Sequence, residues 1–146
     1  MDQQRFDRLF RRFGANVFAR CRRILGSEAA AEDATQEVFM RAMRSLPELK
    51  DEREALLWLY RVSTNVCLSH LRRTATREAA APRLADDECA TDPATGFENR
   101  QACLVALRGV PDSLRAPALL YYVDELDQGS IARVLGVTRR TVINRL

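Results

Sequence analysis

The stretch IARVLGVTRRTVINRL, Ile131 to Leu146, decides how this chain folds. Its spacing predicts two short helices around a tight turn. Ala132 and Gly136 stand four apart: a small side chain at the first lets two helices approach, and the second can take a positive φ. Ile131, Leu135, Val137, Val142 and Leu146 are spaced to form one small core. Thr138 is placed to cap the second helix. That leaves Arg139, Arg140, Thr141, Asn144 and Arg145 on outward faces. A helix of this size, roughly 12 Å long, fits the major groove of B-DNA, where Arg forks onto guanine and Asn onto adenine. The same aliphatic spacing occurs in ordinary helical hairpins. The added basic face favours DNA.

Upstream, Leu119, Leu120 and Val123 are placed to face the core, and Pro117 is awkward. Either a helix begins near Ala116 with Pro117 in its first turn, or a longer helix from Asp112 is kinked. Asp92-Pro93 opens a further helix ending at Gly109, with Phe97, Leu104 and Leu107 inside. From Thr74 to about Thr91 the periodicity is lost, which predicts a flexible linker. Before it lie three amphipathic segments. Phe6, Leu9, Phe10, Phe13, Val17, Cys21, Ile24 and Leu25 mark the first, ended by Gly26-Ser27. Ala31, Ala34, Val38, Ala42, Met43 and Leu46 mark the second, ended by Pro47. The third runs from about Ala55 to Arg73, with Trp58 in its core phase and the charged loop PELKDERE before it. No alternating strand pattern appears. The expectation is an all-α chain: a three-helix bundle over 1–75, a linker over 76–91 and a helix-turn-helix domain over 92–146.

Bulk properties narrow the function. The 146 residues are 47% hydrophobic, enough for real cores, with a net charge of only +3. The bases are 22 Arg and one Lys, and Arg suits bidentate contact with phosphates and guanine edges. The charge runs +4 over 1–78, −3 over 79–100 and +2 over 101–146, so two basic ends flank an acidic middle. Cys21, Cys67, Cys89 and Cys103 form no CxxC pair, and His70 has no metal-ligand spacing to them. No metal, cofactor or catalytic constellation is expected. With no secretory signal and no apolar run near 18 residues, the chain reads as cytoplasmic, without membrane insertion.

Two further stretches complete the pattern. AEDATQEVFMRA, Ala31 to Ala42, sets Asp33, Gln36, Glu37 and Arg41 in one polar stripe suited to a protein partner. WLYRVSTNVCLSHLRR, Trp58 to Arg73, buries one side and presents Arg61, Asn65, Arg72 and Arg73 on others. Here the sequence closely resembles the extracytoplasmic-function (ECF) sigma factors, the smallest members of the bacterial sigma-70 family. The first stretch resembles the family's region 2.2, the second its regions 2.3 and 2.4, and the segment from Leu107 to Leu146 its region 4.

The resemblance implies a promoter-recognition subunit of RNA polymerase. Asp33, Gln36 and Glu37, with Arg41 beside them, would dock on the β′ clamp of the core enzyme, which the chain would contact together with β. Asn65 would help read the −10 element. The loop from Leu49 to Glu54 would capture a base flipped from the non-template strand, with Lys50, Asp51 and Arg53 around it, and Arg61, Arg72 and Arg73 would hold phosphates. Residues 138–145 would read the −35 element, so promoter DNA is the second partner. An anti-sigma factor or a regulatory extension is the controlling partner the resemblance brings with it. Ser130 stands where the family usually has Glu, and Ser69 where it often has Asp. The family normally continues past Leu146, so the terminal domain is expected to be truncated. Two other readings are kept: a dimeric helix-turn-helix regulator binding operator DNA directly, and a helical adaptor that sequesters a partner without reading DNA.

Overall fold

The computed structural model describes residues 3–46, 48–80 and 110–146, and among these every regular element is helical. Helix α1 (Gln3–Leu25) turns Leu9, Phe13, Val17, Cys21 and Ile24 inward. It ends where Gly26 adopts φ 72° and its N–H returns to the Arg22 carbonyl at 2.8 Å, a left-handed stop that glycine takes without Cβ conflict. Ser27 then caps α2 (Glu28–Ser45), its hydroxyl accepting the Ala30 N–H at 3.3 Å. The buried face of α2 is built from Ala31, Ala34, Val38, Phe39 and Ala42. Three alanines on that face let α1 and α3 approach closely. Phe39 also meets Phe6 and Phe10 edge-on at 6.2 and 4.9 Å. Two expected core residues lie outside: Phe10 and Met43 are each 48% exposed. Both sit at the margin of their apolar stripe, where helical phase alone does not separate inside from rim.

Helix α3 (Glu52–Ala80) is longer than its apolar pattern at both ends. It starts three residues before Ala55 because Asp51 Oδ1 accepts the Glu54 N–H at 2.8 Å, while Glu54 Oε2 reaches back to the Lys50 N–H at 2.9 Å. This reciprocal cap, D-x-x-E, is legible in PELKDERE and takes its last residues out of the loop. Beyond Arg73 the helix continues through Ala80, so residues 76–80 of the expected linker are helical. Its alanines favour the helix by intrinsic propensity. Thr74 and Thr76 return their hydroxyls to the carbonyls four residues back. The rest of that linker, the helix expected over 92–109, Pro47, Cys89 and Cys103 lie outside the described residues.

The terminal segment folds as α4 (Asp112–Ala118), one π-helical turn (Leu119–Val123), α5 (Gln128–Leu135) and α6 (Arg139–Arg145). The longer of the two Pro117 readings holds. The helix begins at Asp112, and Pro117 lies inside it. Pro117 has no N–H to donate to the carbonyl four residues back, that of Ser113, an exposed residue. Immediately after the proline the ladder widens, and the Asp124 N–H bonds to the Leu119 carbonyl five residues back at 3.2 Å. Glu125, at φ 54°, then turns the chain towards α5.

The two units pack together. Ala116 and Leu119 join the same core as the buried faces of α1, α2 and α3. A second core holds Leu120, Ile131, Ala132, Val134 and Val142, and α3 supplies Leu57 and Tyr60 to it. Full burial of an aliphatic side chain such as Leu119 contributes about 1.5–3 kcal/mol. Leu120 is buried as its spacing predicts, Val134 is buried where the sequence pattern did not require it, and Leu146, expected in the small core, is exposed.

Candidate nucleic-acid interface

On α3, Arg61, Asn65, Ser69 and Arg72 follow one another at spacings of four, four and three, and so share a helical face. Arg61 and Asn65 are exposed. Arg72 is engaged on its own helix and across the units: it donates to the Ser69 hydroxyl at 3.0 Å and pairs with Asp112 of α4 at 2.9 Å. Asp112 in turn holds Arg115 at 2.8 Å. The buried Arg115 Nε has no hydrogen-bond partner.

The polar stripe of α2 and the basic end of α3 meet on one surface. Glu37 pairs with Arg41 at 2.7 Å, lies 3.6 Å from His70 Nε2 and 3.9 Å from Arg73. Sequence reading separates Glu37 from Arg73 by role; the fold places them side by side. Asp33 and Gln36 are exposed. Lys50, Asp51 and Arg53 are also exposed, and Asp51 has a structural duty as the cap of α3.

In the terminal motif Gly136 has φ 67°, and its N–H bonds to the Ala132 carbonyl. A Cβ at Gly136 would meet nothing within 4 Å, so backbone conformation, not space, requires glycine. Thr138 caps α6, accepting the Thr141 N–H at 3.2 Å, and the two hydroxyls lie 2.9 Å apart. Both threonines are therefore occupied locally. Arg139, Arg140 and Asn144 are exposed, Thr141 and Arg145 half-buried. At the start of α5, Asp127 accepts both the Ser130 N–H at 2.9 Å and the Ser130 hydroxyl at 2.6 Å. The Ser130 hydroxyl, then its backbone N–H, hold the Asp127 carboxyl below the usual carboxylate range. Serine thus has a defined partner where the resemblance leads one to expect glutamate.

The junction between the units is electrostatic at its centre. Arg20 of α1 donates to both carboxylate oxygens of Asp124, from Nε at 2.8 Å and NH2 at 2.7 Å. It also donates to the hydroxyls of Ser63 at 2.7 Å and Thr64 at 2.8 Å. Those hydroxyls give their protons to the Leu59 and Tyr60 carbonyls, which leaves their lone pairs for the guanidinium. The Tyr60 ring lies 4.9 Å from the Arg20 guanidinium carbon, in cation–π range. Burial, and then the Asp124 charge, push the Tyr60 hydroxyl above its ordinary pKa. None of this was read from the sequence. The available signal was an arginine set inside the stripe Val17, Cys21, Ile24, facing an S-T pair on α3.

Below this junction Cys21 and Cys67 are fully buried free thiols. The Cys67 thiol is pushed up by its hydrogen bond to Cys21 and by burial. Among the described residues no group of three or more His, Cys, Asp or Glu could hold a metal ion. No described helix is long and apolar enough to cross a membrane.

The class these features define is an all-α protein with a helix-turn-helix set against a separate three-helix unit. Residues 9–77 match the family model of sigma-70 region 2. Over 99% of its length the chain is 31% identical to the ECF RNA polymerase sigma factor SigM of Mycobacterium tuberculosis, covering 72% of that protein. It is 27% identical to SigW of Bacillus subtilis over 99% of this chain and 84% of the relative. Over 97% of its length it is 31% identical to SigE of Mycolicibacterium smegmatis, covering 57% of it. The chain belongs to the ECF sigma factors of the sigma-70 family.

Proposed function

We propose that the chain binds core RNA polymerase and directs it to promoters. The supporting observation is that two separate helical faces, Arg61 and Asn65 on α3 and Arg139, Arg140 and Asn144 on α6, stand exposed on a chain matching sigma factors along its whole length. The first unit, 1–75 with its helical continuation, docks on the β′ clamp through Asp33, Gln36, Glu37 and Arg41. The same unit reads the −10 element through Asn65. Lys50, Asp51 and Arg53 surround a base flipped out of the stack, and Arg61, Arg72 and Arg73 hold phosphates. The terminal domain, 92–146, reads duplex −35 DNA through Arg139, Arg140, Thr141, Asn144 and Arg145, with Thr138 fixing the helix start. The intervening segment joins two weak sites and raises their effective concentration. Polymerase does the chemistry, in the cytoplasm.

The test is transcription from a promoter library with core polymerase, with and without this chain. Promoter-directed transcripts that need the chain, and fall when Asn65→Ala or Arg140→Ala is introduced, are the expected result. Tight binding of the purified chain to a palindrome, with no effect on core polymerase, would overturn the reading in favour of a dimeric regulator.

A further inference from the structure

Beside the Arg20 socket two thiols meet across α1 and α3. Arg20 donates to Ser63 and Thr64. Cys67 lies four and three residues beyond these on the same face of α3, and Cys21 is the chain neighbour of Arg20. Both cysteines are free and 0% exposed, and the Cys67 thiol donates a hydrogen bond to the Cys21 sulfur. Thr35 of α2 reaches the same sulfur. The bond from Cys67, with Thr35 and the Arg20 charge, holds the Cys21 thiol below its ordinary value although burial opposes it. The Cys67 thiol is pushed the other way, by that same bond and by burial. Cys21 is thus the nucleophile of the two, and Cys67 stands in place to resolve it.

We propose that Cys21 and Cys67 are a redox pair, which a peroxide converts into a disulfide that ties α1 to α3 and tightens the Arg20 socket on Asp124. The Cys21 thiolate attacks one peroxide oxygen and the O–O bond breaks. The departing hydroxide takes up the proton that the thiol released and leaves as water. Cys67 then attacks the sulfur of the resulting sulfenic acid. The S–S bond forms as the S–O bond breaks, and hydroxide leaves with the Cys67 proton as a second water. The thiol pair loses two electrons and the peroxide gains them. Hydrogen peroxide is little larger than water, so it reaches the pair through openings too small for an alkylating reagent. Once linked, the two walls of the socket, Arg20 on α1 and Ser63 with Thr64 on α3, are held together. The two-pronged grip on Asp124 is then harder to open, and oxidation of the first unit is felt by the terminal one.

The test uses the full chain carrying Cys89→Ser and Cys103→Ser, so that no other thiol takes part. After hydrogen peroxide treatment in native buffer, the intact mass should fall by two hydrogens, and peptide mapping without reductant should find residues 21 and 67 linked. The urea midpoint should rise and hydrogen exchange of the α5 amides should slow, and dithiothreitol should reverse every change. Cys21→Ala and Cys67→Ala should each abolish the loss of mass. Asp124→Asn should keep the bond but lose the slowing at α5, which separates a tightened socket from general stabilisation. If both thiols of the treated chain are still alkylated in full once it is unfolded, or if Cys21 is carried to sulfinic acid with Cys67 untouched, the pair forms no bond and the inference fails. A linked chain whose α5 exchange is unchanged, or whose slowing survives Asp124→Asn, overturns the coupling to Asp124.

Discussion

Arg20 and Asp124 are 104 residues apart in the chain and form a two-pronged ion pair with side chains only 3% and 0% exposed. Every polar partner of the guanidinium is supplied by α3 or by the end of the π-helical turn. The widened turn after Pro117 ends at Asp124, so the proline that looks like a fault in the sequence lies just ahead of the carboxylate joining the two units.

Removing one partner strands a buried charge. Asp124→Ala is expected to cost about 3–5 kcal/mol, measured by urea denaturation. The double change Arg20→Met with Asp124→Leu should recover much of that loss, because an apolar pair leaves no charge uncompensated. An Asp124→Ala protein as stable as wild type would show that the pair opens freely in solution.

The cap of α5 predicts a pH effect. The Asp127 carboxyl is depressed by the Ser130 hydroxyl and N–H. It therefore contributes stability that is present above its unfolded pKa and is lost as pH falls through the lower folded value. Ser130→Ala should move the Asp127 titration, followed by NMR, upward towards an ordinary carboxylate, and flatten the acid limb of the stability curve. An unmoved titration would show that the hydroxyl bond does not persist.

Gly136→Ala should destabilise the terminal motif by about 1–2 kcal/mol, because an L residue at φ 67° is strained although its Cβ has room. Thermal denaturation checks it. An equal loss in a variant with added space nearby would confirm that the strain is in the backbone.

Asp51 separates a structural duty from a DNA role. Asp51→Ala should lower stability by about 0.5–2 kcal/mol through loss of the α3 cap, whereas Asp51→Asn, itself a good cap, should leave stability nearly unchanged. Any loss of promoter opening in Asp51→Asn alone then belongs to the charge in the loop before α3.

Cys21 and Cys67, fully buried, should react with a thiol reagent only as fast as the bundle opens. Mass spectrometry of the labelled peptides measures this. Rapid labelling of either in native buffer would contradict the packing around the Arg20 junction.

Much of the fold is legible in one dimension, because helices are written in local terms. The stripe Leu9, Phe13, Val17, Cys21, Ile24, the Gly26-Ser27 boundary and the Ala132–Gly136 turn each follow from spacing and backbone preference within a few residues. So, in retrospect, does the D-x-x-E cap that starts α3. The exposed row of α6 is legible for the same reason, since a face is a matter of helical phase. The margins are not: Phe10 and Met43 stay outside although their phase admits burial, since which neighbour covers a rim position depends on the other helices.

Local spacing carries the described helices, most of their faces and the family to which the chain belongs. Packing in three dimensions is what sets Arg20 against Asp124 and Glu37 beside Arg73. Those relations join residues tens of positions apart, and no local periodicity encodes them. The Glu37–Arg73 contact follows from the packing of α2 on α3, and the Arg20–Asp124 pair from burying Leu119, Leu57 and Tyr60 where the two units meet, since a guanidinium enclosed there must have a carboxylate.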